Sequence, residues 1–421
     1  MSTRTKAAVI GLVLTTALVT WSAATSSRSR PRTGPTASGS SSASSGSKSS
    51  VNVPRVDEPA MQSVLDAWMH RRGTPGAVVA VQVGDHKPVF VVGGVSDKHS
   101  RTALTDAAAF RIGGVTTALV GAVALQLSEK KQLDLDATIA RWLPGFPNAR
   151  RITVRDLLTH RSGLGPFGNE SDAPNRFAAV DAAFVAAHPH HSFTPEEILS
   201  YVQRRPLLSK PGTAVRYSNV NTILLGVIVA AVTHSDLAAA LHAHLLGPLD
   251  LSDTYYAATE HRSPAPVPGV SSNPAAVTAL GAAGAMVSTP RDLLAFSAGF
   301  FRARVRGVHD LTKSVFRMGR GGTGLGVEGF SGDGFCAVAR TGCTAGVSFF
   351  AVGATSSGRG GSAVVVYDPV YDISVVALAG SDGVDLRDLA GRAVLLTQLG
   401  PAGYDKTVGF TAHLVPTTTG H

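Results

Sequence analysis

From residue 56 onward the chain alternates between two hydrophobic periods. Met61, Val64, Leu65, Trp68 and Met69 recur three and four apart, which places them on one helical face, and Gly73 follows as a stop signal. Ala77–Val83 and Pro88–Val92 are β-rich runs separated by Gly84-Asp85-His86-Lys87, so they predict a hairpin. The stretch from Val115 to Lys130 is apolar on most faces and predicts a buried helix. Up to about residue 300 the pattern is mostly helix and loop. Thr194-Pro195-Glu196-Glu197 combines a capping box with proline at the first helical position, and Ser288-Thr289-Pro290-Arg291-Asp292 is a similar start. After Gly321 strands return at Gly324–Phe330, Phe335–Thr341, Val347–Val352, Ala363–Tyr367 and Ile373–Ala379, and Leu386–Leu399 predicts a closing helix. Helix and hairpin first, helices in the middle, strands and a helix last: this order implies an antiparallel sheet completed by both chain ends around a helical insertion. No internal repeat is visible.

The first 54 residues belong to neither period. Arg4 and Lys6 precede an apolar stretch from Ala7 to Trp21, and Ser22 and Ala24 have the small-residue spacing of a signal-peptidase site. The apolar run is shorter than the ~20 residues that span a bilayer comfortably, so a cleaved signal over 1–24 is expected, with an uncleaved anchor as the alternative. Residues 25–54 are rich in serine, glycine and proline, and such a composition buries too little to offset its ordering entropy. Ser45-Gly46-Ser47-Lys48 matches a Ser-x-x-Lys pattern there by composition alone. The folded domain is expected over 55–400, with a helical subdomain at about 131–300 and a tail at 401–421.

Length and composition fit one large globular domain or two small ones: 421 residues, 44% hydrophobic and 16% charged. The formal net charge of +9 has its Lys/Arg excess partly in Arg4, Lys6, Arg28, Arg30 and Arg32, and no Lys/Arg block is interleaved with aromatics. The charge therefore fits residence at an anionic envelope, and nucleic acid is not expected as a partner, nor a membrane beyond the signal or anchor segment.

Phe110–Thr117, Trp142–Phe146, Ile152–Leu164, Tyr217–Asn219 and Pro248–Thr254, in that order along the chain, together resemble one family, the serine β-lactamases and the related penicillin-binding-protein-like hydrolases and esterases. Phe110-Arg111-Ile112-Gly113-Gly114-Val115-Thr116-Thr117 is similar to its nucleophile segment. Trp142-Leu143-Pro144-Gly145-Phe146 and the run from Ile152 to Leu164, which contains Leu158-Thr159-His160-Arg161-Ser162-Gly163-Leu164, resemble its continuation. Pro211-Gly212-Thr213, Tyr217-Ser218-Asn219 and Leu224-Leu225-Gly226 resemble the segment that bears a Tyr-x-Asn motif, and Pro248–Thr254 is similar as well. The resemblance covers about residues 56 to 400. It implies a β-lactamase/transpeptidase-like α/β (α+β) sandwich: an antiparallel sheet of about five strands, flanking terminal helices and an inserted helical subdomain.

Acyl transfer in that family uses a serine at the start of a buried helix and a lysine one turn on, whose amine helps deprotonate the hydroxyl. The resemblance puts Gly114 at the serine position and Thr117 at the lysine position. Glycine offers nothing to acylate, and a threonine is no amine base. No serine lies between Arg101 and Leu127, and Ser128-Glu129-Lys130-Lys131 sits at the polar end of the helix. In a well-studied serine protease, loss of the nucleophile alone lowers kcat about a million-fold. The resemblance therefore implies no catalytic residues of the usual mechanism. The second motif is present as Tyr217 and Asn219, although a core tyrosine with a satisfied hydroxyl is the other reading of Tyr217. The third motif maps to Arg340-Thr341-Gly342, where arginine replaces the usual lysine or histidine and its planar fork suits a carboxylate; a solvent-facing strand-edge arginine is the alternative. Cys343 would then supply the N–H facing the vacant position.

Cys336 and Cys343 in an exported chain suggest a disulfide. Seven residues of straight strand would hold them about 23 Å apart, beyond the ~7 Å reach of a bridge. If Gly342 ends the strand, as the family layout implies, a pairing is strained at best. His188-Pro189-His190-His191 lacks companion carboxylates or cysteines at ligand spacing, so an exposed loop is expected there, with no metal and no cofactor in the protein. The leading expectation is an inactive, exported envelope protein whose pocket, built from Tyr217, Asn219, Arg340, Thr341, Gly342 and Cys343, binds a peptidoglycan-derived or other acidic ligand. The alternatives are an active hydrolase with a relocated nucleophile, at Cys343 or Ser162, and a structural envelope protein with a vestigial cleft.

Overall fold

A computed structural model describes residues 54–97, 99–166, 187–203, 205–268, 274–301, 323–324, 327–331, 350–356, 362–368, 371–381 and 383–405. The first helix, α1 (Glu58–Arg72), starts where the Asp57 carboxylate accepts from the Ala60 N–H at 2.9 Å, and ends where Gly73 takes φ +61°. The predicted hairpin follows as β1 (Gly76–Val83) and β2 (Val89–Gly94). Gly76 has to be glycine, because a Cβ there would stand 2.3 Å from the Val95 carbonyl oxygen.

The main sheet is completed by strands from the C-terminal part: β6 (Thr323–Gly324), β7 (Val327–Ser331), β8 (Phe350–Ser356), β9 (Ser362–Asp368) and β10 (Ile373–Ala379). Their order is β2-β1-β10-β9-β8-β7-β6, antiparallel throughout, so the N-terminal hairpin pairs with the last strand through Ala80↔Val376. The described sheet has seven strands rather than about five. The run read as one strand from Gly324 is a tight pair, with Thr323 opposite Glu328, and the hairpin adds both of its arms to the same sheet. The strand expected at Phe335–Thr341 lies outside the described residues.

Strands β1, β9 and β10 read as continuous apolar runs because both faces are covered. Ala77, Val79, Val81, Val364, Val366, Val375 and Ala377 pack under α1 and α9 (Arg387–Tyr404), with Met61, Leu65, Trp68, Leu389 and Val394. Val78, Ala80, Ala363, Val365, Val376 and Leu378 point the other way, into a larger core. The closing helix runs past Leu399 to Tyr404, broken at Gly400, where φ is +66°.

The second core is helical. Its centre is α2 (Thr116–Glu129), preceded by a 3-10 turn at Gly113–Val115; every residue from Thr116 to Leu127 is buried. Around it stand α3 (Val154–Leu158), α4 (Pro195–Val202), α5 (Asn219–Thr233), α6 (Leu237–Leu241) and α7 (Pro274–Leu280), the last running into a 3-10 turn at Gly281–Ala283. The expected capping box forms at α4, where the Thr194 hydroxyl accepts from the Glu197 N–H. Three short strands, β3 (Phe110–Arg111), β4 (Tyr255–Tyr256) and β5 (Met286–Ser288), make a small sheet in the order β3-β5-β4. They are too short to leave a two-residue period in the sequence. The last helix of the 131–300 span, α8 (Pro290–Phe301), packs on β1, β9 and β10. That helix is a cover of the sheet rather than part of the helical bundle. Among the described residues no single helix is long and apolar enough to cross a membrane.

Candidate functional site

At the head of α2, Gly113 has φ +46°, a conformation that side chains disfavour, and it turns the chain from β3 into the helix. Gly114 comes next and is half-buried. Between Ile112 and Leu127 it is the one residue that is not buried. The position is fixed from behind: the Ile112 N–H donates to the Met286 carbonyl at 3.1 Å, and the Met286 N–H donates to the Thr116 hydroxyl at 3.2 Å. The turn Gly113–Val115 packs against β8 and β9 of the main sheet. Thr117, 5% exposed, directs its hydroxyl back onto the Gly114 carbonyl. Its proton is therefore held by the main chain of the preceding turn.

Helix α5 packs along α2 and α3. Asn219 is its first residue and is buried, whereas Tyr217 is 44% exposed. The reading of Tyr217 as a core tyrosine is thereby corrected. Its ring rests on the His160 imidazole, with centroids 4.7 Å apart at 42°. A surface tyrosine here is oriented by a buried neighbour.

That neighbour is the hub of a polar latch, a role the sequence did not suggest for it. His160 Nδ1 accepts from Asn221 Nδ2 at 3.0 Å and from the Ser218 N–H at 3.4 Å. The Asn221 side-chain carbonyl accepts from Ser162 Oγ at 2.6 Å, and Ser162 Oγ accepts from the Leu164 N–H at 3.1 Å. Ser218 Oγ closes the loop by donating to the Gly165 carbonyl at 3.0 Å. Gly163 permits the turn: φ is +76°, and a Cβ would stand 2.1 Å from the Ser209 carbonyl oxygen. With Nδ1 used as acceptor, the imidazole is neutral with its proton on Nε2. Burial pulls its pKa down to about 4. His160, Ser162 and Ser218 stand in strings that carry the family resemblance, but Asn221, two residues beyond Asn219, does not, so the sequence held only part of the signal.

Ser162 is corrected as a relocated nucleophile. It is 1% exposed, and its proton goes to an amide carbonyl rather than to a base. Arg340, Thr341, Gly342, Cys343 and Cys336 lie outside the described residues. Of the histidine run, His188 and His191 have other partners. His191 Nε2 meets the Glu197 carboxylate at 2.9 Å, and its ring lies edge-on to Phe193. Among the described residues no group of three or more His, Cys, Asp or Glu side chains is placed to hold a metal ion.

A family model described as Beta-lactamase matches residues 61–399. Among curated proteins, the chain is 28% identical over 208 residues to Esterase EstB of Burkholderia gladioli, covering 48% of this chain and 52% of that one. The chain thus spans about half the length of that relative. Among solved structures, a D-amino acid amidase from Ochrobactrum anthropi SV3 aligns with a TM-score of 0.65 at 21% identity, over 81% of this chain and 99% of that one. The octameric penicillin-binding protein homologue of Pyrococcus abyssi aligns with a TM-score of 0.64 at 20% identity, over 85% and 81%. Identities this low show the fold alone, which is the antiparallel sheet with flanking helices described above. The family match extends from Met61 in α1 to Leu399 in α9 and takes in both cores, and the chain belongs to the β-lactamase family of penicillin-binding-protein-like serine hydrolases.

Proposed function

We propose that this β-lactamase-family protein is catalytically inactive by the usual mechanism and keeps its cleft for binding. The observation that carries this reading is the head of α2. In the buried stretch Ile112–Leu127 a single residue is not buried, it stands where the family resemblance asks for a nucleophile, and it is Gly114. One turn on, Thr117 stands where a lysine is asked for, with its hydroxyl turned onto the Gly114 carbonyl. Glycine has no side-chain atom to attack a carbonyl carbon, and the Thr117 hydroxyl, engaged by the main chain, is no base for an attacking hydroxyl. The Tyr217 ring, half-exposed on its imidazole support, and the buried Asn219 are the binding groups on the α5 side. By the family resemblance Arg340, Thr341, Gly342 and Cys343 complete the proposal, with the Arg340 guanidinium as the group that selects an acidic ligand.

The ligand class proposed is a peptidoglycan-derived peptide or another acidic molecule of the cell envelope. Export supports the meeting of the two: Arg4 and Lys6 ahead of the apolar stretch Ala7–Trp21 have the pattern of a secretory signal. The test separates binding from chemistry. The protein is incubated with a fluorescent penicillin and with a fluorophosphonate and weighed by mass spectrometry, then titrated with a peptide ending in D-alanyl-D-alanine. The expected result is no mass increase with either reagent and saturable peptide binding that weakens in Tyr217→Ala. A stoichiometric adduct on any residue of the domain overturns the inactive reading, and the adducted residue names the nucleophile.

A further inference from the structure

A cavity of about 280 Å³ lies in the helical core, away from the head of α2. None of Gly114, Thr117, Tyr217 or Asn219 lines it. One wall is the face of α5 that carries Ile223, Gly226, Val227 and Ala230; α4, α6 and the turn Gly281–Ala283 supply the others. The lining is apolar apart from a few groups, of which Tyr256 is the informative one.

Tyr256 sits in β4, 5% exposed. Its backbone N–H donates to Glu260 at 2.8 Å, but its hydroxyl has no hydrogen-bond partner among the described residues. The oxygen lies 3.8 Å from where a Cβ on Gly281 would stand, and Ile198 Cδ1 lies 3.9 Å from the same point, so the hydroxyl ends among wall residues of the cavity. Burial without a partner pushes the phenol pKa up and keeps it a neutral O–H donor. The hydroxyl oxygen is not sealed off but stands open to the cavity, where a ligand acceptor can take up its hydrogen bond. At the rim, Glu196 and Asp236 are both exposed carboxylates, and Asp236 also caps α6 by accepting from the Ala239 N–H at 2.8 Å.

We propose that this cavity is a second binding site, for a small uncharged aromatic or branched apolar molecule that presents one hydrogen-bond acceptor to the Tyr256 hydroxyl. Volume sets the size: an engineered apolar cavity of about 150 Å³ takes up benzene, so this one has room for a ring with a short substituent. The unpaired O–H selects an acceptor, because a phenol in apolar surroundings has a proton to give. The rim carboxylates repel anions, so the acidic class of ligand proposed for the cleft is disfavoured here.

Acetophenone, a neutral ring with a single carbonyl acceptor, tests the proposal on the full-length protein. Titration followed by ligand-observed NMR and calorimetry is expected to give saturable one-to-one binding, with benzoate not binding. Tyr256→Phe keeps the ring and removes the donor, and is expected to weaken acetophenone about tenfold. Ala230→Leu fills the wall and is expected to abolish binding in a protein whose circular dichroism matches the parent. If Ala230→Leu does not fold, Tyr256→Phe alone decides. No saturable binding to the parent protein overturns the proposal, as does unchanged affinity in Tyr256→Phe, or benzoate binding as well as acetophenone. Loss of the peptide-binding reading at the cleft leaves these outcomes untouched, since no cleft residue lines the cavity.

Discussion

His160 has a positive φ of +53°, an imidazole 3% exposed and an Nδ1 that accepts two hydrogen bonds. Protonating that nitrogen would break both bonds inside a dry site. Burial lowers its pKa from the ordinary 6.5 to about 4, so the folded state refuses a proton that the unfolded chain takes up below pH 6.5. The stabilisation is fully present above pH 6.5 and is lost as the pH falls through that window towards 4. Between pH 7 and pH 4.5 the group should account for about 2–3 kcal/mol of lost stability. His160→Asn keeps a side-chain acceptor, tolerates the left-handed conformation and does not titrate there. Urea unfolding of the two proteins at both pH values should show the parent losing more stability by that amount. Equal losses would mean that the imidazole charges freely in the folded state. The residue was legible in the sequence as part of a string, but its role was not. Which nitrogen accepts, and from what, depends on Asn221, 61 positions away, and no local pattern carries that distance.

Helix α5 shows what packing adds to periodicity. From Asn219 to Thr233 its residues are apolar on most faces, so the helix was readable as buried, but the sequence does not say what lies on which side. In the fold α2 and α3 pack on it together with the turn Gly281–Ala283, and at Gly226 the neighbours come close. A Cβ there would stand 2.7 Å from the Ala282 Cβ and 3.1 Å from Leu237 Cδ2. Ala282 is 5% exposed and sits in a tight turn, so it has little room to retreat. Replacing an exposed helical glycine by alanine usually gains about 1 kcal/mol. Gly226→Ala is expected instead to lose about 1–3 kcal/mol, because overpacking outweighs helix propensity. Chemical unfolding measures it, and a gain in stability would show that the turn yields. The same reasoning separates what was legible from what was not among the strands. Val78 to Val83 and Ile373 to Ala379 are long enough to announce themselves, whereas β3, β4 and β5 are two or three residues each and exist only because β5 finds partners on both sides.

At the scale of the molecule, the order of elements along the chain was enough for the two-layered plan, since a sheet closed by both chain ends leaves few places for the helical insertion. Strand number and the seating of α8 were not legible, because edge pairing and the choice between sheet and bundle are settled by contacts far apart in sequence. The proposed loss of chemistry belongs to this scale too, since it asks whether the whole cleft outlives two side chains. The flanks of the helix head are held by bonds that do not involve residues 114 or 117: the Ile112 and Met286 main chains pair, Thr116 takes the Met286 N–H, and Gly113 turns the chain. A serine introduced at 114 would therefore be presented at the one position between Ile112 and Leu127 that is not buried. A lysine at 117 would replace a buried threonine and bring an ammonium into a site 5% exposed, which costs stability unless polar partners meet it. Circular dichroism and a cooperative melt are thus the first measurement on Gly114→Ser with Thr117→Lys. In a folded double variant, the lysine amine one turn from the serine hydroxyl is the base the family mechanism uses, and slow labelling by a fluorescent penicillin or an activated ester, absent from the parent and from Gly114→Ser with Thr117→Ala, is the expected outcome. A folded double variant that no acylating probe labels would mean that the strand and α5 sides no longer converge on the helix head, and the binding role proposed for the cleft would fall with it.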